Sequence, residues 1–270
     1  MRHKDASVDS GLGSFVYLNR EGWAMTAAHN FNAVFGFKQH QALIQNYNER
    51  KALILKSESL FDDEKQQQLQ ALPYDPKWIT HYAIMLSGRL VNMYENYIYG
   101  DHDIAFFRMD ANAIPPQTKF PKIINPGSMS PGISLCKLGY PFVEFTASFD
   151  EAAQQFVLPP HVLPVPMFPM EGIYTRNVFK GKDVQQVDIL FLETSSPGLK
   201  GQSGGPIFDR EGNLYAVQSQ NLTIPLGYSG TIQKNGVGIE ENQFLNLGIG
   251  VHPQSLITLM ERHGITYEKV

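Results

Sequence analysis

The chain has 270 residues, 43% of them hydrophobic and 18% charged, so it can bury a substantial core. A formal net charge of −4 and a pI near 6.1, with basic residues scattered rather than clustered, give no electrostatic ground for nucleic acid or an anionic membrane as partner. The N-terminal MRHKDASVDSGLGSF lacks the apolar run of a signal peptide, longer apolar stretches such as VLPPHVLPVPMFPM are broken by proline, and the single cysteine, Cys136, excludes an intramolecular disulfide; a cytoplasmic site is expected, or a periplasmic or secreted one if a leader has been removed.

In chain order, SFVYLNREGWAMTAA, DIAFFRMD, ISLCKLGYPF, DILFLETSS, GPIFDREGNLYAVQS and NLGIGVHP are short, rich in β-branched or aromatic residues, and bounded by Gly, Asn or Pro. In two of them, NREG and DREG separate apolar runs as hairpin turns do. These segments predict a mainly antiparallel β protein. Residues 38–98 interrupt the pattern, since FDDEKQQQLQAL and HYAIMLSGRLVNMYENY are richer in helix formers or ambiguous in period, and a partly helical insertion is expected there. The proline-rich stretch from Phe145 to Met170 predicts a surface-crossing loop. PQSLITLMERHG, with proline at its start, Leu256, Ile257, Leu259 and Met260 on one side and glycine after it, predicts a closing amphipathic helix.

Three residues carry candidate chemistry. Ser203, in GLKGQSGGPIFDREG, is flanked by glycines that let main-chain amides converge beside its hydroxyl; taken alone, the stretch also reads as a Gly-rich turn. A serine hydroxyl is a poor nucleophile at neutral pH without an adjacent base, and acyl transfer also needs donors for the developing oxyanion. His29, after the small residues of TAAH, is the candidate base. Asp103, opening the apolar run DIAFF, is the candidate acid, because a withdrawn carboxylate needs hydrogen-bond donors and an imidazole N–H is one. Asp101 is the runner-up acid.

TAAH, DIAFF and GQSGGP resemble the histidine, aspartate and nucleophile motifs of the trypsin-like, chymotrypsin-fold serine proteases, and the order His29, Asp103, Ser203 is the chymotrypsin order. The resemblance is nearest to the bacterial HtrA-like branch: GLGSFVYLNREGWAMTAAH is similar to its first strands, LGYPF and EGIYTRNV to the opening of the second barrel, and NLGIGVHPQSLITLM to the last strand and closing helix. It implies two antiparallel six-stranded-type β-barrels. Residues 1–124 would carry His29 and Asp103 with the insertion at about 38–98, and residues 125–270 would carry Ser203 and the closing helix, together forming one peptidase domain. The PDZ domain common in that branch is not expected in this chain, which ends soon after the helix. Residues 1–10 are too polar and short for the segment that precedes GLGSF in relatives, so the first barrel is abbreviated or the chain is a piece of a larger protein.

The resemblance further implies a serine endopeptidase acting on polypeptides without metal or cofactor. Amides of Gly201 and Ser203 would form the oxyanion hole. The substrate pocket would be walled by Pro197, Gly198, Leu199, Lys200, Ser219, Gln220, Asn221 and Gly248, with Ser219 also supporting the Asp103 carboxylate. Pro197 stands where trypsins place an aspartate, and no histidine stands at Gln218, so a neutral, small or medium apolar residue is expected before the scissile bond (the P1 position). Gln202 replaces the aspartate that pairs with a freed N-terminus in zymogen-derived enzymes, which speaks against activation by N-terminal cleavage. A peptide-binding module on the same fold, and an esterase or acyltransferase on the same triad, are the competing readings. An oligomer or regulatory partner is left open. None of the eight histidines forms an HxxxH or HExxH pair; His40, His81, His102, His161, His252 and His263 are expected at the surface or in packing roles, and Cys136 as a small core residue.

Overall fold

The computed structural model describes residues 1–86, 88–234 and 237–270. Two compact units form from interleaved segments. One comprises Leu12–Asn30, Val91–Val143 and Val165–Val270; the other comprises Met1–Gly11, Phe31–Leu90 and Glu144–Pro164.

The larger unit holds the expected β architecture. Val16–Tyr17, Trp23–Thr26, Ile104–Met109 and Met93–Tyr99 pair in that spatial order as an antiparallel sheet. Trp23–Thr26 is buried throughout and Ile104–Met109 at every position but Arg108, which is why both read as nearly unbroken apolar runs. A second sheet runs Pro206–Phe208, Ser134–Gly139, Phe168–Lys182, Asp188–Thr194, Val237–Val251 and Leu214–Lys234; the last strand also pairs with the first, which closes these six into a ring. Closure removes the free edges that an open sheet would present. The closing helix spans Pro253–Arg262 and buries Leu256, Ile257, Leu259 and Met260. Its N-terminus is capped by His252, whose Nδ1 accepts the Gln254 N–H at 3.1 Å; burial lowers the His252 pKa to about 4, so it stays a neutral acceptor. Met25, Ile104 and Phe106 from the first sheet, Phe191, Leu214 and Val251 from the second, and Leu256 and Met260 from the helix share one core.

The hairpin turns follow from their sequences. In NREG, Asn19 Oδ1 accepts the N–H groups of Glu21 and Trp23; in DREG, Asp209 Oδ1 accepts those of Glu211 and Asn213. Each turn then uses glycine at positive φ, +96° at Gly22 and +85° at Gly212.

Several elements depart from the sequence expectation. Leu214–Lys234 and Val237–Val251 run on as a long hairpin through Leu222↔Leu247 and Thr231↔Glu240, beyond the strand segments GPIFDREGNLYAVQS and NLGIGVHP; Pro225 sits at an irregularity in the register, where a missing N–H is tolerated. The first helix begins at Asn32, six residues before the expected insertion, and Met93–Tyr99 already belongs to the four-stranded sheet, its first five residues, MYENY, alternating in burial at period two. Among the described residues the sheet carrying His29 has four strands rather than six.

In the smaller unit, helices Asn32–Lys56 and Asp62–Gln70 bury no residue completely. The packing is instead aromatic, with Trp78 buried against Tyr47 and Tyr74. In the proline-rich stretch, expected as a loop, Ser148–Asp150 and Gln155–Val157 pair as three-residue strands, and in the larger unit its last residues, Phe168–Met170, already pair with Lys137–Gly139 as the start of strand Phe168–Lys182.

The two turn glycines separate two costs. A Cβ on Gly212 meets no atom within 4 Å, whereas one on Gly22 falls 2.1 Å from the Met109 carbonyl oxygen. Gly212→Ala should therefore destabilise by the backbone term alone, about 1 kcal/mol, and Gly22→Ala by about 3 kcal/mol or more in urea denaturation.

Candidate active site

His29 lies in the short 3₁₀ turn Ala28–Phe31 that follows the buried strand Trp23–Thr26, with Ala27 and Ala28 packed behind it. Asp103 stands immediately before the strand Ile104–Met109, in the left-handed region at φ +50°. Because these two strands are neighbours, the carboxylate reaches the imidazole: His29 Nδ1–H donates to Asp103 Oδ1 and Oδ2 at 3.0 and 2.9 Å, and the His29 backbone N–H donates to Oδ1 at 3.0 Å. Ser219 Oγ–H, from strand Leu214–Lys234, donates to Oδ2 at 2.5 Å. Asp101, the alternative acid, is exposed.

Burial opposes ionisation of Asp103, but the hydrogen bonds from His29 and Ser219 outweigh it and hold the carboxyl below its ordinary range. The same Asp103 hydrogen bond raises the His29 pKa against its own partial burial. With Nδ1 committed to Asp103, Nε2 is the ring nitrogen left for other chemistry.

Ser203 is held by its carbonyl, which accepts the Ser14 N–H at 2.9 Å and Asn30 Nδ2–H at 3.1 Å. Ser14 also donates through Oγ to the Gly201 carbonyl at 2.7 Å, and the Tyr140 N–H donates to that carbonyl at 3.2 Å. Leu199 to Gln202 form a turn closed by the Gln202 N–H on the Leu199 carbonyl at 2.9 Å, with the third residue, Gly201, at φ +94° as a type II turn requires. A Cβ on Gly201 would also fall 2.4 Å from the Tyr140 carbonyl oxygen.

This turn fixes which amides are spent. The N–H groups of Gln202, Gly204 and Gly205 donate to the carbonyls of Leu199, Gln218 and Gln202. Among the described residues, the N–H groups of Gly201 and Ser203 have no acceptor, and no hydrogen bond engages the Ser203 hydroxyl. Main-chain donors withdrawn from water are ordinarily paired, and these two are the amides of the nucleophile loop that its own hydrogen bonds leave over.

Six of the eight expected pocket residues, Gly198, Leu199, Lys200, Ser219, Gln220 and Asn221, line a cavity of about 240 Å³ with Ser203 and Gln218. Pro197 and Gly248 do not line it. The Asn221 amide spans the two walls, accepting the Gly198 N–H at 2.6 Å and donating to the Gly198 carbonyl at 2.7 Å. A larger depression of about 620 Å³ beside Cys136 and Tyr215 contains none of the three catalytic candidates. Sequence reading missed Ser14, Asn30 and Tyr140, whose contacts with the nucleophile loop have no local signature. It also gave Gln202 no positive role; its Oε1 accepts the Leu199 N–H at 2.8 Å and locks the turn from the inside.

The fold and this arrangement define a β protein with an aspartate-oriented histidine and a serine beside two free amides. The model of the trypsin-like peptidase domain family matches residues 12–217, and the chain belongs to that family. No curated protein sequence matches the chain. Among solved structures it is similar to the HtrA-type protease AlgW with a decapeptide (14% identity, TM-score 0.44, 93% of this chain and 50% of that one). It is also similar to the Rv3671c protease from M. tuberculosis in its active form (11% identity, TM-score 0.47, 96% of this chain and 76% of that one). The chain thus spans half the length of the first of these proteins.

The imidazole provides a direct check on the geometry. Asp103 stabilises the protonated ring, so His29 should titrate by NMR above the ordinary value of about 6.5. Asp103→Asn, which removes the negative charge, should bring the titration down to or below that value, and Asp101→Asn should leave it in place.

Proposed function

We propose that this protein is a serine endopeptidase. The observation that carries the reading is the pair of unpaired amides, Gly201 and Ser203, held beside the Ser203 hydroxyl in the unit that also presents an Asp103-oriented imidazole. In the proposed cycle Ser203 Oγ attacks the carbonyl carbon of a peptide bond while His29 Nε2 accepts the hydroxyl proton. The tetrahedral oxyanion takes the two free N–H groups as donors. His29 returns the proton to the leaving amine, giving an acyl-enzyme on Ser203, and water repeats the sequence to release the acid. Asp103 keeps Nδ1 protonated and stabilises the imidazolium; Ser219 and the His29 amide keep Asp103 ionised and oriented.

The proposed substrate is a polypeptide with a short, non-basic P1 side chain. No carboxylate lines the cavity to pair with lysine or arginine, and the Asn221 amide shortens the space by bridging to Gly198.

A fluorophosphonate probe should label the wild-type protein and not Ser203→Ala, and peptide turnover should disappear with the label. Labelling with ester turnover but no peptide cleavage would favour the esterase reading; no labelling and no turnover would favour the binding module. Asp103→Asn should lower kcat by about four orders of magnitude, while Asp101→Asn stays within about twofold. Because the neutral imidazole is the base and its pKa is raised, kcat/KM should climb with pH through a midpoint above about 6.5.

Asn221→Gly removes the bridge between the walls. It should improve kcat/KM for P1 leucine or phenylalanine relative to P1 alanine by about tenfold, measured on peptides that differ only at that position. An unchanged ratio would mean that the bridge does not set the depth of the pocket.

A further inference from the structure

The peptidase reading leaves one buried charge without a task. Lys137, on strand Ser134–Gly139, is 0% exposed. Its Nζ donates to the carbonyls of Ser196 at 2.5 Å and Pro197 at 3.1 Å. An ammonium has three donors, and among the described residues the third has no acceptor and no carboxylate faces the group. Burial lowers the pKa to about 8, so the side chain still carries its charge at neutral pH. Holding two carbonyls does not by itself call for a cation, since a buried charge without a counter-ion is costly.

Its position gives the charge a use. The side chain passes Gly172, where a Cβ would meet Cε at 3.2 Å, and ends where a Cβ on Gly248 would stand 2.5 Å from Nζ. Two glycines thus clear the path that brings the ammonium against Pro197, the residue just before the cavity-lining Gly198. The resemblance to trypsin-like proteases puts Pro197 at the base of the P1 pocket and Gly248 in its wall; in the structure both stand just outside the cavity lining, next to Gly198 and to the Lys137 ammonium respectively. The lining itself adds a second cation, Lys200, and no carboxylate; Asp103, which touches Ser219, is committed to His29.

We propose that Lys137 is a specificity-determining residue and that it selects an acidic side chain, glutamate or aspartate, at P1. The assignment rests on the peptidase reading and replaces the neutral preference expected from the sequence. A charge sealed from water and bonded to the residue beside the cavity-lining Gly198 is weakly screened, so it favours an anionic side chain, repels a basic one and leaves a neutral one indifferent.

The test uses the full chain and peptides identical except at P1, with glutamate against glutamine and aspartate against asparagine, pairs that differ in charge and hardly in shape. The acidic member should have the higher kcat/KM by about tenfold or more, and P1 lysine should be the poorest substrate. In Lys137→Met, with folding checked by circular dichroism, the glutamate-to-glutamine ratio should fall toward one. Should that variant not fold, the wild-type pairs decide alone. Turnover with glutamine equal to or better than glutamate, or a ratio unchanged in folded Lys137→Met, overturns the assignment while leaving the peptidase reading standing. Absence of both probe labelling and turnover of every peptide sinks the peptidase reading and the assignment with it.

Discussion

The site depends on one requirement, that the Asp103 carboxylate, largely withdrawn from water, stay ionised. Withdrawal alone would push its proton back on. Three donors prevent this, two from His29 and one from Ser219, and they come from segments far apart in the chain. The Ile104–Met109 strand brings the acid, its neighbour Trp23–Thr26 brings the histidine, and Leu214–Lys234 brings the serine. The burial of these strands is thus what aligns the imidazole, and the raised basicity of His29 is a consequence of packing.

The nucleophile loop answers the opposite requirement, since it must keep donors unpaired. It does so by satisfying everything around them. The carbonyls of Gly201 and Ser203 are both taken, by Ser14, Tyr140 and Asn30, and the intervening Gln202 is tied to Leu199 through its main chain and its side chain. With its neighbours fixed, the loop cannot easily rotate to pair the two free amides with itself. Gln202 thus anchors the loop from within, through bonds that need no partner outside the turn.

The catalytic candidates were legible because each sits in a short pattern with its own local cause: small residues before His29, an apolar run after Asp103, glycines around Ser203. The turns at NREG and DREG and the closing helix were legible for the same reason. The supporting residues were not. Ser14 meets Gly201 across 187 residues of sequence, and a serine between Gly13 and Phe15 carries no sign of that partner. The long hairpin beyond Gln220 was hidden by Pro225 and by strands exposed enough to lose clean alternation. The charge of Lys137 reads in sequence as one more polar position in a strand, whereas in the fold it is sealed behind Pro197 and Gly248.

By itself, then, the sequence determined the β character, the turn positions, the closing helix and the three residues of the candidate triad, because those features follow from periodicity, turn chemistry and contiguous motifs. Only the tertiary structure decided which aspartate faces His29, which amides remain free beside Ser203, how Asn221 bridges the pocket and where the Lys137 ammonium lies. Each of these is set by contacts between segments distant in the chain, through hydrogen bonds whose partners no local pattern specifies.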